Sequence, residues 1–507
     1  MRVNPTAGGT RIGSRRRRGT VVVVGAGLSG LSCALHLLGA GHDVVVLERK
    51  DHPGGRAGRI DMEGFRVDTG PTVLTMPDLL DEAFEAVGTS VHEHLELLPL
   101  APAYRAAFAD GSTVDVHTEH RRMVEEVTRL AGPREAVGYL RLRRWLTRLY
   151  QVEMRAFIDA QFDSPLDLVG PDLVRLAALG GFGRLAPAIG RHLRDDRLRR
   201  IFSFQALYAG VPPERALAAY AVIAYMDTVA GVYFPKGGMR AIGEAMADAA
   251  TKAGAALRFG ESVQHLERAG ESVTAVITAE GERLPCDHVV LTTELPTSYR
   301  LLGHRPRRWP SHRYSPSAVV LHLGTDRTWD HLQHHTISFG AQWEGTFTEI
   351  IDHGVTMSDP SLLITQPTLT DPSLAPDGHH LFYVLAPTPN LAAGDIDWDR
   401  EGPRYRDALV TTLEERGMIG LNRSVRAERL ITPADWARED MVHGTPFSLA
   451  HTFAQTGPFR PRNTVPGTTN AFLAGCGTTP GVGLPTVLVS GKLAAARVMA
   501  RTEGCGR

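Results

Sequence analysis

The sequence predicts an α/β protein with a Rossmann-like nucleotide domain assembled from three segments, a mixed-sheet domain and a helical region. Three observations carry this prediction. The apolar run Val21–Val24 enters the glycine turn Gly25–Gly30, and the next apolar run ends in the acid Glu48. A second glycine turn, Gly475–Thr478, follows another apolar run near the carboxyl end of the chain. Apolar residues recur at helical spacing over residues 120–230.

The first turn has the order of strand, glycines, helix, strand and acid that a dinucleotide-binding βαβ unit requires. Gly25 permits the tight turn, Gly27 lets the backbone approach a pyrophosphate, and Gly30 lets the helix pack closely on the strand. The helix N-terminus offers free N–H groups and partial positive charge to phosphates. Glu48 is placed to accept hydrogen bonds from a ribose diol, and its charge disfavours the 2′-phosphate of an NADP-type ligand.

The same region admits a rival interpretation as a signal peptide or a membrane span. Arg15–Arg18 precede roughly twenty residues without a charged side chain. Three features argue against it: the glycines keep the turn spacing, the consecutive valines favour a buried parallel strand, and the pattern continues into a strand ending in Glu48. The nucleotide interpretation is therefore preferred.

Composition describes an ordinary soluble chain of two or three domains. The protein has 507 residues, of which 43% are hydrophobic and 22% charged, and its net charge is −1. This balance gives no electrostatic footprint for nucleic acid. The cysteines show no metal spacing and imply no disulfides, which fits a reducing cytoplasm; they are Cys33, Cys286, Cys476 and Cys505. No acid or cysteine completes a metal site around the densest histidine cluster, which is His331, His334 and His335.

The chain divides into four parts by pattern. The parts are a disordered basic tail at 1–19, a nucleotide domain at 20–117, 231–300 and 466–507, a helical region at 118–230, and a mixed-sheet substrate domain at 301–465. The arginines of the tail admit a second interpretation, as a weak anchor on anionic lipid. The stretch Leu173–Leu193 mixes apolar residues with arginines, and we expect either a membrane-surface segment or a helix pair within a bundle.

Individual elements follow from local signals. Helices are predicted at Tyr139–Tyr150, Ala216–Tyr225, Arg240–Lys252 and from Thr486 to about Ala500. A meander of short strands is predicted at Ala255–Phe259, Val273–Ile277 and His288–Leu291. Alternating strands of the mixed sheet are predicted at Ala318–Leu323 and Leu381–Leu385. The last helix would direct its positive end at whatever binds the second glycine turn.

Together these residues resemble the bacterial-type phytoene desaturases, FAD-containing carotenoid enzymes of the flavin amine oxidase superfamily. The resemblance runs from Val21 to about Val498. It is carried by VVVVGAGLSGLSCALHLLGAGHDVVVLERKDHPGGRAGRI, DTGPT, GVYFPKGGM, YSPSAVVLHLG, YVLAPTPNL, HTFAQTGPFRPRN and FLAGCGTTPGVGLPTVLVSGKLAA. The chain departs from the expected pattern at Thr479, where a histidine is common, and at Thr486, where a glycine is common.

The resemblance implies that the nucleotide domain binds FAD. The residues implied to hold the pyrophosphate are Gly25, Ala26, Gly27, Leu28, Ser29 and Gly30. Glu48 and Arg49 would hold the adenosine ribose end, and Val263 would lie beside the adenine. Residues that would line the path to the isoalloxazine are Gly55, Arg56 and Thr72. The ribityl and pyrimidine end would be capped by Gly475, Cys476, Gly477, Thr478 and Val487, with Cys476 as a packed residue rather than a redox thiol.

The activity implied is desaturation of phytoene to lycopene in four steps, each by hydride transfer to the flavin and loss of a proton. No catalytic residue is identified, because loss of a proton beside a delocalised cation needs no strong base, and no metal is expected. The C40 substrate is too apolar for water, so we expect a cytoplasmic protein in peripheral contact with the inner face of the membrane through the helical region. Oxygen or a quinone would accept the electrons.

Other functions stay open at this point. Related enzymes include three-step neurosporene-forming desaturases, hydroxycarotenoid 3,4-desaturases and terminal-methyl oxidases. An amine oxidase is disfavoured by the carotenoid-like blocks. A lipid-escort protein of the same fold, such as a Rab GDP-dissociation inhibitor, is disfavoured by Glu48, Arg56 and the intact Gly475–Thr478 turn.

Overall fold

A computed structural model describes residues 18–303 and 312–504. The basic tail predicted for residues 1–19 lies outside the described residues except for Arg18 and Gly19, and so does Cys505. Among the described residues, no helix combines the length and apolarity needed to cross a bilayer.

A five-stranded parallel sheet forms the centre of the nucleotide domain. Its strands are β1 (Thr20–Val24), β2 (Asp43–Glu48), β9 (Ala256–Phe259), β13 (His288–Leu291) and β19 (Ala471–Leu473). Their order is β19-β13-β1-β2-β9, so three distant segments meet in one sheet as predicted. The valines of β1 are buried between β2 and β13, as expected of a central parallel strand. Three helices pack together against the sheet: α1 (Leu28–Gly39), α9 (Arg240–Lys252) and α15 (Leu484–Gly504).

Smaller sheets complete this domain. They are formed by β3 (Arg59–Met62) with β4 (Phe65–Asp68), by β5 (Leu97–Pro99) with β8 (Tyr233–Pro235), and by β10 (Val263–Ala269), β11 (Ser272–Thr278) and β12 (Arg283–Pro285). The accompanying helices are α2 (Pro77–Glu85) and α10 (Leu295–Leu301). The prediction that three short strands form one meander was wrong, because the first and third of them, β9 and β13, belong to the parallel sheet. β9 pairs with β2 and β13 pairs with β1, both in parallel, so only the middle predicted strand, β11, lies in the antiparallel sheet.

A seven-stranded mixed sheet forms the second domain, in the order β18-β14-β17-β16-β15-β6-β7. Its strands are β6 (Tyr104–Ala107), β7 (Thr113–Val116), β14 (Ser317–Thr325), β15 (His335–Ser338), β16 (Leu362–Thr365), β17 (His380–Thr388) and β18 (Val425–Ile431). Its helices are α11 (Glu344–Phe347), α12 (Trp398–Glu415), α13 (Leu421–Ser424) and α14 (Pro433–Arg438). His334 and His335 are buried, and their rings contact threonine hydroxyls at 2.6 and 2.9 Å.

The hairpin of β6 and β7 corrects one predicted boundary. The sequence predicts that residues 20–117 belong to the nucleotide domain, but β6 pairs in parallel with β15 of the mixed sheet, with Thr336 opposite Arg105. Arg105 also donates to Asp115 through two nitrogens, at 2.6 and 2.8 Å, which ties the hairpin together. The pairing joins segments more than two hundred residues apart, and nothing in the local sequence marks the partner.

Of the predicted helices, Tyr139–Tyr150 lies inside a longer helix, whereas only Ala221–Tyr225 of the predicted Ala216–Tyr225 is α-helical. The helical region, residues 118–230, contains six α-helices. They are α3 (His120–Ala131), α4 (Pro133–Glu153), α5 (Pro171–Ala178), α6 (Leu185–Gly190), α7 (Asp196–Ile201) and α8 (Ala221–Tyr225). Both α4 and α8 continue into a wide π-helical turn, at Met154–Ile158 and Met226–Ala230. The stretch Leu173–Leu193 is divided between α5 and α6 because the chain turns at Gly180, where φ is +78°.

Candidate functional site

The carboxyl ends of the central parallel strands converge on one edge of the sheet, where ligands bind in folds of this kind. Thr292, directly after β13, donates its hydroxyl to Val24 O at 2.9 Å, and Ala474 N donates to Leu291 O at 3.0 Å. A Cβ on Gly475 would lie 3.5 Å from Ser29 Oγ. The two glycine turns singled out in the sequence are therefore neighbours in space.

Two glycines of this edge permit contacts that no other residue allows. A Cβ on Gly30 would lie 2.1 Å from the carbonyl oxygen of Gly25, so its absence lets α1 pack against the strand. A Cβ on Gly55, where φ is +60°, would lie 2.9 Å from the Cα of Gly27. The loop after β2 thus lies directly on the first turn, and Gly54 N donates to Ala26 O at 2.9 Å.

Glu48 ends β2 and is buried at this edge, with 7% exposure. Its carboxylate accepts from Ala26 N at 2.7 Å and from Lys50 N at 3.0 Å, so it contacts the first glycine turn. Glu261 N donates to Glu48 O at 2.8 Å, which brings the start of β10, and with it Val263, towards the same side. Arg49 is directed elsewhere, since its guanidinium pairs with Asp440.

Arg56 connects the three segments of the nucleotide domain. Its guanidinium donates to the carboxylate of Glu294, which precedes α10, and to the sulfur of Cys476 in the second glycine turn. The arginine and its carboxylate partner are largely buried, at 24% and 18% side-chain exposure. Sequence reasoning placed Arg56 and Cys476 at the site but missed Glu294, which lies in no motif.

The second glycine turn is held by buried side chains that the sequence analysis also missed. Ser490 of α15 accepts from Gly475 N at 3.0 Å and contacts the Thr478 hydroxyl at 2.9 Å. Arg460, 2% exposed, donates to Thr478 O at 3.0 Å and to Cys476 O at 2.6 Å. Val487 is half-buried in the first turn of α15, where its N–H donates to the carbonyl of residue 483 at 3.0 Å.

A small cavity lies between β4 and the mixed sheet. Thr72, Asp68, Phe234 and Tyr383 are among its lining residues. The Asp68 carboxylate accepts from the backbone N–H groups of residues 239 and 240 at 2.8 and 3.3 Å. Burial raises the pKa of Asp68 to about 7, against the opposing effect of these two hydrogen bonds. The FPKGGM motif therefore places the start of α9 against a half-buried acid that lines the same cavity as the predicted site residue Thr72.

Two buried acids lie in the helical region. Glu153, at the end of α4, is 5% exposed, and its Oε1 has no hydrogen-bond partner in the described part of the chain. Burial raises its pKa well above the usual range. Asp227 lies in the turn after α8, and burial raises its pKa to about 7 although Gln205 donates to it. Neither acid stands in a recognisable motif.

Replacing Glu153 with glutamine is expected to stabilise the protein at neutral pH. An acid with a raised folded-state pKa costs stability as the pH rises above the unfolded value of about 4.3, because only the unfolded chain ionises freely. At pH 7.5 the free energy of unfolding of Glu153→Gln should exceed that of the parent by about 1–3 kcal/mol, and its melting temperature should be correspondingly higher. The difference in unfolding free energy between variant and parent should be smaller at pH 4.5. Equal pH dependence for parent and variant would contradict this, and exposed Glu125→Gln is the control.

Comparison with known proteins identifies the family. The model for flavin-containing amine oxidoreductases matches residues 28–499. The chain is 66% identical to a phytoene dehydrogenase from Streptomyces griseus, with 94% of each chain covered. It is 35% identical to a ζ-carotene-forming phytoene desaturase from Myxococcus xanthus, covering 94% of this chain and 93% of the relative. It is also 35% identical to a lycopene-forming phytoene desaturase from Pseudescherichia vulneris, covering 94% and 98%.

A solved structure shows the same fold. An oxidoreductase from Methanosarcina mazei superposes with a TM-score of 0.64 at 15% identity, over 94% of this chain and all of the other.

The geometry at the sheet edge suits a flavin dinucleotide. Gly27 opens α1 without a capping side chain, and the first turn of α1 contains no acid, which leaves its N–H groups for phosphate. The chain therefore belongs to the flavin-containing amine oxidoreductases and, within them, to the phytoene desaturases of carotenoid biosynthesis, and its cofactor is FAD.

Proposed function

We propose that the chain desaturates phytoene to lycopene in four steps. The observation that carries this proposal is the 66% identity, over nearly the full length, to a protein named phytoene dehydrogenase. The lycopene-forming relative supports lycopene as the product. The ζ-carotene-forming relative supports the alternative, a product with fewer desaturation steps. When bound, FAD supplies the hydride acceptor for each step. The chain itself positions the polyene, excludes water and accepts the proton.

The residues proposed to hold FAD are those at the sheet edge. The pyrophosphate would lie on Gly25, Ala26, Gly27, Leu28, Ser29 and Gly30, and the adenosine on Glu48, Arg49 and Val263. The flavin end would lie between Gly55, Arg56 and Thr72 on one side and Gly475, Cys476, Gly477, Thr478 and Val487 on the other. For Arg49 the ion pair with Asp440 leaves only its backbone for this role. Arg56 is supported by its bridge between the segments.

Co-expression in a bacterial host that accumulates phytoene tests the product. Red lycopene would support four steps, whereas neurosporene or ζ-carotene would reduce the number to three or two. Unchanged phytoene, with the purified protein loaded with FAD, would contradict the proposal. It would then favour a later carotenoid oxidation, by a 3,4-desaturase or a terminal-methyl oxidase.

We also propose that the enzyme works on the cytoplasmic face of the membrane as a peripheral protein, with oxygen or a quinone as electron acceptor. A C40 hydrocarbon is unfavourable in water by tens of kcal/mol, at about 0.8 kcal/mol per buried CH₂, so it must come from lipid. Exposed apolar side chains concentrate in one part of the helical region, namely Leu166, Val169, Val174 and Phe182. We call this set the apolar segment, because its members lie between residues 166 and 182. The short helix holding Leu166 contacts the one that ends at Phe459, which is also exposed.

Charged substitutions in the apolar segment test the membrane proposal. The triple variant Leu166→Asp, Val169→Asp, Val174→Asp should bind at least about tenfold less to vesicles of phosphatidylcholine and phosphatidylglycerol, since three apolar anchors are lost. Co-sedimentation measures this with FAD-loaded protein. The matched control is Ile419→Asp, an equally exposed apolar residue at 70% in the other domain. Unchanged binding of the triple variant, or equal loss in the control, would contradict the proposal.

A further inference from the structure

We propose that His451 is the proton acceptor of the desaturation and that a hydrogen-bond chain through Tyr220 and Thr456 fixes the tautomer that this task needs. The proposal rests on the proposed function, because it assigns a residue to the proton that each desaturation step releases. His451 is the first residue of the HTFAQTGPFRPRN motif, but the resemblance assigns it no role.

His451 lies against the second glycine turn. Its backbone N–H donates to Ala209 O at 2.8 Å, and the residue is 8% exposed. A Cβ on Gly481 would lie 2.2 Å from Cε1 and 2.7 Å from Nε2 of the imidazole, so the ring packs directly on the loop between the turn and α15. Residues 475–486 carry no ionisable side chain except Cys476, whose sulfur contacts Arg56. A base for chemistry at this loop must therefore come from a neighbour.

The position of each proton follows from Thr456. Its single hydroxyl proton is donated to Thr452 O at 2.8 Å, so its oxygen accepts from the Tyr220 hydroxyl at 2.5 Å. Tyr220, having donated its own proton, accepts from Nδ1 of His451 at 3.1 Å. The imidazole proton is thereby placed on Nδ1, and Nε2, the nitrogen beside Gly481, holds the free lone pair.

The surroundings keep the ring neutral. Burial, with the nearby charge of Arg460, lowers the pKa of His451 well below the usual range. A neutral imidazole is available to accept a proton across the physiological pH range. A weak base is sufficient, because the hydrogens beside an allylic cation are strongly acidic. Glu153, the acid whose charge acts on Tyr220, has its own pKa raised by burial and is therefore held protonated.

One carbon of the substrate loses hydrogen with its electron pair to FAD, and the neighbouring carbon loses a proton to Nε2. The electron pair of the second C–H bond becomes the new double bond. Oxygen or the quinone then takes from the cofactor the electron pair together with the hydrogen delivered as hydride, and takes the second proton from the imidazole. This gives hydrogen peroxide or a quinol and restores neutral His451. Tyr220 and Thr456 act as positioning residues, because they act only through the ring.

The test compares His451→Gln, Tyr220→Phe and Thr456→Val in the FAD-loaded full chain. His451→Gln should slow single-turnover desaturation of phytoene by about a hundredfold, the lower range for general base catalysis. In Thr456→Val the Tyr220 hydroxyl loses its acceptor and turns to donate to Nδ1, which moves the imidazole proton to Nε2. Turnover should then fall at least about tenfold. Tyr220→Phe should give a mixture of tautomers and a smaller loss.

Nitrogen-15 NMR of histidine-labelled protein supplies a readout that does not depend on turnover. The His451 signal, identified by its absence in His451→Gln, should report an Nδ1–H tautomer in the parent and an Nε2–H tautomer in Thr456→Val. Flavin content should stay unchanged, and exposed His331→Gln is the control. An Nε2–H tautomer in the parent, or a His451→Gln rate within about twofold of the parent, would overturn the proposal. Failure of the parent itself to desaturate phytoene would instead contradict the proposed function.

Discussion

Replacing Gly30 with alanine is expected to yield a chain that cannot hold FAD. The added Cβ would lie 2.1 Å from Gly25 O and 3.3 Å from the Thr292 hydroxyl oxygen. Both atoms belong to the edge on which the pyrophosphate is proposed to lie, and a backbone oxygen cannot rotate away. Helix α1 must therefore shift off the strand, and its N–H groups no longer converge on the phosphates.

Flavin absorbance per mole of purified protein measures this effect. We expect Gly30→Ala to retain less than about a tenth of the parent's flavin after incubation with excess FAD, a loss of over 1.4 kcal/mol in binding. Gly170→Ala is the control, because its backbone is extended and its Cβ would meet open space. Glu48→Gln separates lost binding from lost folding: the amide keeps an oxygen that can accept from Ala26 N, so FAD affinity should weaken with an unchanged circular dichroism spectrum. Full flavin content in Gly30→Ala would contradict the account.

Replacing Arg460 with methionine is expected to be among the most destabilising substitutions in the chain. The buried guanidinium donates to four carbonyl groups, at Cys476 and Thr478 in the glycine turn and at residues 449 and 455 in the segment before it. Burial lowers the pKa of Arg460 to about 10, so the side chain stays charged at neutral pH. Methionine fills the volume but leaves these carbonyls without donors, at a cost of about 1–3 kcal/mol for each group that water cannot reach.

Thermal unfolding followed by circular dichroism measures this change. Arg460→Met should lose at least about 3 kcal/mol of stability and most of its bound FAD, because the glycine turn loses its anchor. Lysine is not expected to rescue the site, since one ammonium cannot reach carbonyls on opposite sides of the fork. The control is Arg462→Ala, an exposed arginine two residues further along the same segment. A melting temperature equal to that of the control would contradict the role assigned to Arg460.

The parallel sheet and its glycine turns were predictable because their signals are local. Four consecutive valines, a glycine turn and an acid after the next strand each have a meaning within a few residues. The helix over Arg240–Lys252 has the predicted ends, since Gly237 and Gly254 flank it. The resemblance then added the family and the cofactor.

The parts of the fold and of the site that could not be predicted depend on contacts between distant segments. The β6–β7 hairpin joins the mixed sheet through β15, and no local pattern names that partner. Glu294 and Arg460 are single residues outside the glycine turns, so their roles emerge only when the three segments are brought together. The role proposed for His451 also depends on distant contacts, because its tautomer is set by the Thr456 hydroxyl through Tyr220.

The most direct test of the account uses anaerobic, FAD-loaded protein mixed with vesicles that contain phytoene. Desaturation predicts that the absorbance of the oxidised flavin disappears in proportion to phytoene consumed, and that adding a quinone restores it while extending the conjugation of the product. Vesicles without phytoene should cause no change. A flavin that keeps its oxidised absorbance in the presence of phytoene, in protein shown to bind the vesicles, would contradict the assignment of this chain as a phytoene desaturase.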